Sequence, residues 1–202
     1  MFLFPLVSTI FALEVDDALW TEIEIGKSIK NYSIDISHEL RYIENYNELQ
    51  KSNSEISFSY KALNSTKITC YYRYSEYSDK FKSRLGVANK YNIDFSKIEL
   101  DWIVKFQKDF ENNKIPEELI FRNKFLLEFE YLSFLSPYLS YETFHQLISK
   151  DIRFEKYRIS SGIKYKITKD TTIKLFYIYS GKFEDNEFEI TNITGLKYEI
   201  TL

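Results

Sequence analysis

Between Tyr157 and Thr168 the chain alternates without a break. Tyr157, Ile159, Ser161, Ile163, Tyr165 and Ile167 hold one parity, and Arg158, Ser160, Gly162, Lys164, Lys166 and Thr168 the other. Successive strand side chains point to opposite faces, so the segment presents one apolar, aromatic-edged face and one cationic face. Its twelve residues are about twice the length of an ordinary soluble strand and suit one that crosses a bilayer at a tilt. A helix would need a 3.6-residue period, which is absent.

The pattern recurs along nearly the whole chain, in segments 21–29, 33–43, 55–63, 66–77, 80–91, 96–110, 118–130, 136–147, 157–168, 171–183 and 187–202. The clearest is 96–110, where Ile98, Leu100, Trp102, Val104 and Phe106 oppose Lys97, Glu99, Asp101, Lys105 and Gln107. Tyr and Phe, 17 of each against 5 Gly and 3 Pro, reinforce an all-β reading. Charge is plentiful but nearly balanced at −3, without the basic excess typical of nucleic-acid binders. Beyond the N-terminus no window of about 18 apolar residues is available for a helical span. The negative mean hydropathy does not argue against a membrane barrel, in which only alternate residues face lipid.

The first residues, 1–18, read as a secretory leader: an apolar run through Leu13 precedes Glu14, Asp16 and Asp17, with small residues at Ala12 and Ala18 for cleavage. The alternative is an N-terminal strand or plug. Residues 19–202 then form a single barrel domain. Short turns at Lys30, Asn64, Asn92, Ser136 and Lys169 alternate with longer connections near Tyr46, Asn112 and Asp185, the rhythm of outer-membrane barrels. Residues 44–54 read as one of the long loops. Eleven segments sit awkwardly with the even strand numbers of single-chain bacterial barrels. A strand within residues 4–16 would make twelve; leaving the Trp20 segment outside the wall would make ten. Twelve is the narrower choice of the two. The expected fold is thus a closed antiparallel up-and-down transmembrane β-barrel.

Along the chain run Trp20, Glu39-Leu40-Arg41, Tyr72-Arg73-Tyr74, Arg84, Gln107, Arg122-Asn123, and Pro137 with Glu142 and Phe144. Tyr157-Arg158 with Gly162 and Tyr165 follows, then Tyr177 and Gly195-Leu196-Lys197-Tyr198. This ordered set resembles the bacterial barrel family catalogued as domain of unknown function 2490. The resemblance implies an outer-membrane location and insertion by the barrel assembly machinery, and it brings no known activity. The chain departs from barrels of this kind at Leu202, where an aromatic is commoner.

On the charged parity lie Glu39, Arg41, Arg73, Arg84, Asp101, Lys105, Arg122, Glu128, Glu142, Arg158 and Lys164. In a narrow lumen these must pair, because an unpaired charge away from water is expensive. They read as a structural ion-pair network or, more sharply, as a charge ring selecting small solutes. Glu142 and Arg158 are expected partners on adjacent strands. Trp20, Tyr60, Tyr72, Trp102, Tyr165, Tyr177 and Tyr198 are expected to form interfacial aromatic girdles. Cys70, the only cysteine, shares its parity with Ile68 and Tyr72 and reads as an outward apolar filler.

No cofactor, metal or catalytic role is expected. A barrel phospholipase would need His and Ser within hydrogen-bond reach, and neither His38 nor His145 (with Ser149 or Ser160) forms a local motif of that kind. The reading is a monomeric barrel in the lipid bilayer, structural or narrow-channel, binding no nucleic acid. The rival is a soluble periplasmic lipocalin-like barrel with its apolar parity turned inward around an apolar ligand. Strand length and the leader favour the membrane.

Overall fold

The computed structural model describes residues 15–44, 46–112, 119–148, 151–184 and 187–202. They form eleven strands: β1 (Val15–Ile29), β2 (Tyr32–Ile43), β3 (Glu48–Leu63), β4 (Thr66–Tyr77), β5 (Phe81–Asp94), β6 (Ile98–Glu111), β7 (Leu119–Phe129), β8 (Leu135–Ile148), β9 (Asp151–Lys166), β10 (Thr171–Glu184) and β11 (Glu187–Thr201). Each pairs with its sequence neighbours, and β11 returns to β1 to close a barrel. All sequential pairs are antiparallel, whereas β1 and β11 pair in parallel from Val15↔Ile190 to Gly26↔Thr201. An odd number of up-and-down strands leaves the first and last running in the same direction, so the closing pair has no other option.

The alternation predicted for each segment is present as an all-β closed barrel, one strand short of twelve among the described residues. The Trp20 segment belongs to the wall, paired on both sides, so the ten-strand alternative does not hold. A strand within residues 4–14 lies outside the described residues, as does most of the segment expected to be a leader. The barrel wall already includes residues 15–18, with Ala18 buried at 1% exposure; it begins upstream of the expected boundary at 19.

Residues 48–54, expected in a loop, extend β3. Their polar character reflects a lumen-facing row, Lys51, Asn53 and Glu55, on a bulged strand: the register shifts where Arg41 faces Lys51 and Tyr42 faces Leu49. Likewise Asn92 and Ser136 lie within β5 and β8, and the turns fall at residues 95–97 and 130–134. Positive φ angles occur at Lys30, Glu44, Tyr46, Ser96 and Asn112, all in connections or at strand ends, and at no glycine.

The glycines serve space instead. Gly86, Gly162, Gly181 and Gly195 stand directly opposite Tyr71, Tyr138, Tyr157 and Phe176 in the register. In each case the ring lies where a Cβ would go. An aromatic ring laid over a cross-strand glycine covers exposed backbone and fixes the pairing, as in aromatic rescue.

The two faces separate by chemistry. Ile34, Ile36, Trp102, Phe106, Ile163 and Leu175 are exposed on the outside. Glu39, Arg41, Asn53, Asp101, Gln107, Glu142 and Ser180 are buried inside. The one buried apolar cluster, Ala18, Trp20, Ile178 and Ile193 with Ile43 and Phe176 packed on it, lies on the inner surface across the β1–β11 seam. Strands run 11 to 16 residues. At roughly 3.3 Å per residue and a tilt near 40°, even an eleven-residue strand covers about 28 Å, enough for a barrel's apolar band.

Candidate functional site

The inward parity of all eleven strands converges on a lumenal cavity of about 570 Å³, within the size range of small-ligand sites (about 300–1,000 Å³). Its wall carries eleven basic and seven acidic side chains, a surplus of four positive charges in a chain whose net charge is −3. Strand alternation places each of them inside; the stagger between strands decides which meet.

Most are paired. Arg41 donates through Nε to Glu39 at 2.7 Å, and Asn53 donates to the same carboxylate at 2.6 Å. Arg73 pairs with Glu55 at 2.7 Å, and Arg84 grips Asp109 with two parallel hydrogen bonds of 2.6 Å. Such fork-on-fork contacts are the strong form of the guanidinium–carboxylate pair. Arg122 donates to Glu142 at 2.7 Å and to Gln107 at 3.1 Å, and Gln107 also accepts from the Tyr71 hydroxyl. Asp101 binds Lys90 at 2.5 Å, and Lys164 pairs with Glu128. Beside the closing seam, Lys197 reaches Glu22, Glu24 and Glu199 at 3.1, 2.8 and 3.2 Å, while Lys174 binds Glu199.

Of the residues expected in the lumen, nine therefore take part in carboxylate–cation pairs among the described residues, and Lys105 and Arg158 form none there. Glu142 and Arg158 are direct cross-strand neighbours, but the expected ion pair between them is not made: the carboxylate is turned to Arg122. The Arg158 guanidinium instead lies 5.0 Å from the Trp20 ring centre and 4.9 Å from that of Phe144. Arg41 sits 3.7 Å from Trp20 and Arg122 4.5 Å from Phe144. The order Arg41, Trp20, Arg158, Phe144, Arg122 is thus a continuous ladder of cations and rings. Because β9 and β1 are not neighbours in the wall, this ladder cuts across the lumen. Each cation–ring contact is worth about 0.5–2 kcal/mol, more where water is excluded.

Trp20 is consequently not a girdle residue. It is 8% exposed and faces inward, because it shares the parity of Glu22 and Glu24, and its ring is where two guanidiniums rest. The other expected girdle positions, Tyr60, Tyr72, Trp102, Tyr165, Tyr177 and Tyr198, stand on the outward parity. Two of them have a further task. Trp102 Nε1 donates to Asn123 at 2.6 Å and the Tyr177 hydroxyl donates to Asn192 at 2.6 Å, so each caps an outward-facing amide. Near one end of the barrel, Phe121, His145, Phe154, Phe183, Phe188 and Tyr157 form a continuous run of ring contacts.

A family model described as "Protein of unknown function (DUF2490)" matches residues 17–189. The chain belongs to this family. Of the residues on which the resemblance rested, Trp20, Glu39, Arg41, Arg73, Arg84, Gln107, Arg122, Glu142, Phe144 and Arg158 line the cavity, Tyr72, Tyr165 and Tyr177 are exposed outside, and Gly195 to Tyr198 fall beyond the matched span. No curated relative matches the chain. Among solved structures, one described as "KdgM porin" is similar at a TM-score of 0.51 and 12% identity, over 78% of this chain and 81% of that one. At that identity the likeness extends to the fold, a porin-like barrel.

The DUF2490 lumen also holds residues that sequence reasoning left out. Lys51 and Asn53 were hidden in a stretch read as loop. Phe144, Tyr138 and Phe176 are inward aromatics that the charge pattern masks. Glu55, Lys90, Asp109, Lys174, Lys197 and Glu199 complete the pairs and were available from parity alone. Cys70 is exposed on the outer face. His38 meets Ser54 at 3.1 Å on that same face. His145 lies between Phe121 and Phe154 outside, whereas Ser160 lines the cavity within.

Proposed function

We propose that this barrel sits in the bacterial outer membrane as a monomer and offers small hydrophilic solutes a narrow, charge-lined passage, without catalysis. The observation that carries the reading is the inverted distribution of polarity. Trp102 and Leu175, on outward rows, are 46% and 58% exposed, while Asp101 and Glu142 are 4% and 5% exposed. Water would not tolerate so much apolar surface around an ionic interior; hydrocarbon would. The same distribution speaks against the lipocalin-like alternative, since an apolar ligand finds a basic and acidic lining in place of an apolar one. His145 and Ser160, on opposite faces of the wall, do not support a hydrolytic pair.

Two measurements test the reading. The detergent-folded protein is expected to change electrophoretic mobility on boiling, and extraction without detergent to fail. Reconstituted in a planar bilayer, it is expected to give small discrete conductance steps. A protein that stays in solution without detergent overturns the membrane assignment. A silent bilayer containing folded protein overturns the passage.

A further inference from the structure

We infer that the lumen contains a binding site for a small oxyanion, centred on Arg158 and Ser180. The inference rests on the reading of the interior as a solute-accessible lumen and names the class of solute it holds. Arg158 Nε and Ser180 Oγ are both buried with no hydrogen-bond partner among the described residues. They are also register partners, facing each other across β9 and β10. Ser180 is 2% exposed. Two orphaned groups side by side, an N–H donor and a hydroxyl, describe a place where an acceptor belongs, because buried polar groups are otherwise paired.

Charge says which acceptor. Glu142, the carboxylate nearest Arg158 across the other strand edge, is engaged by Arg122 at 2.7 Å. The same carboxylate also faces Lys124, Arg158 and Lys105, with Glu39 and Glu55 as weaker partners of Arg158 and Lys105. Lys156, two residues from Arg158 on the inward parity, makes no carboxylate pair among the described residues and directs its ammonium to the Phe144 ring at 5.9 Å. The site therefore holds more cations than carboxylates, and its vacant partner is an anion. Trp20 and Phe144 both lie against the guanidinium, while its Nε is left without a hydrogen-bond partner among the described residues on a residue whose register partner is Ser180. A guanidinium edge with a neighbouring hydroxyl suits an acceptor with two or more oxygens, such as sulfate, phosphate or a carboxylate, better than a spherical halide.

The test uses the intact chain folded in detergent, titrated with sodium sulfate, sodium phosphate or sodium acetate against sodium chloride at matched ionic strength. Saturable heat with at least one of the oxyanions, and a raised unfolding temperature not given by chloride, is expected. Phosphate and sulfate without acetate would assign the site to inorganic oxyanions; a response to acetate would extend it to organic acids. Ser180→Ala, a small change, is expected to weaken binding several-fold, and Arg158→Gln at least tenfold, both in barrels that still shift mobility on boiling. A Lys169→Gln change, at an exposed turn outside the lumen, is expected to leave binding intact. Identical responses to all salts, or equal affinity in the parent and both site variants, would overturn the site. In a planar bilayer under a potassium sulfate gradient, an anion-directed reversal potential that Arg158→Gln diminishes is the matching result. Saturable binding with a silent bilayer keeps the site and removes the passage. Current without saturable oxyanion binding removes the site and keeps the passage.

Discussion

Glu142 shows how unequal the lumenal charges are. It is 5% exposed and answers more than one cation, yet its one short contact is with Arg122. Replacing one member of a buried pair leaves the other charge uncompensated, at about 3–5 kcal/mol. Glu142→Gln is therefore expected to lower the midpoint of urea-driven unfolding in micelles strongly. Lys169→Gln, at a turn where the ion pair to Asp170 is 3.8 Å long and the lysine side chain 90% exposed, is expected to change it by less than about 1 kcal/mol. Equal effects would mean that the lumen is as wet as the surface. At this scale the outward asparagines follow the same accounting: Asn123 and Asn192 are tolerable beside hydrocarbon because Trp102 and Tyr177 satisfy them.

Among the elements, the hairpins carry the strain and the strands the space. The two-residue turn from β1 to β2 has φ of 55° at Lys30, and no positive φ at Asn31. That is the sign pattern of a type II′ turn, whose first position favours glycine. A left-handed L-residue costs roughly 1–2 kcal/mol, partly offset by the greater entropy glycine loses on folding, about 0.5–1 kcal/mol. Lys30→Gly is thus expected to stabilise the barrel by up to about 1 kcal/mol, read from the same unfolding midpoint. A loss of stability would show that the lysine side chain is held by something stronger than its backbone preference. Extra residues at Gln50 on β3 and Glu155 on β9 shift the register beyond Lys51 and Lys156, and the second lets Glu155 join its neighbour Lys156 in the cavity lining.

For the molecule as a whole, the parallel seam is the decisive feature. Ile23 and Tyr198 are outward register partners across it. With Cys70→Ser to remove the native thiol, Ile23→Cys and Tyr198→Cys are expected to oxidise to an intrachain disulfide that migrates faster without reductant. The antiparallel outward pair Ile36→Cys and Ile56→Cys, between β2 and β3, serves as the comparison. Cross-linking of the comparison pair alone would place another strand between β1 and β11 and make the wall twelve-stranded. Closure also gathers charge: a cavity lined by four more basic than acidic side chains is held inside an otherwise acidic chain, which concentrates positive potential where solutes would pass.

Alternation is a local property, so the strands, their approximate limits, the side each residue faces and the all-β barrel class are legible in the chain alone. It even placed Trp20 inward, by its shared parity with Glu22 and Glu24; reading the indole as a girdle let residue type override geometry. Polar residues 48–54 read as loop because solvent and a charged lumen select the same residue types. Which side chains meet is settled by the folded wall. Parity cannot tell that Glu142 turns to Arg122 and leaves Arg158 to Trp20, because that depends on stagger between strands and on contacts across the lumen. Nor can it tell that β1 and β11, at opposite ends of the chain, run side by side in parallel, since closure is a property of the complete wall.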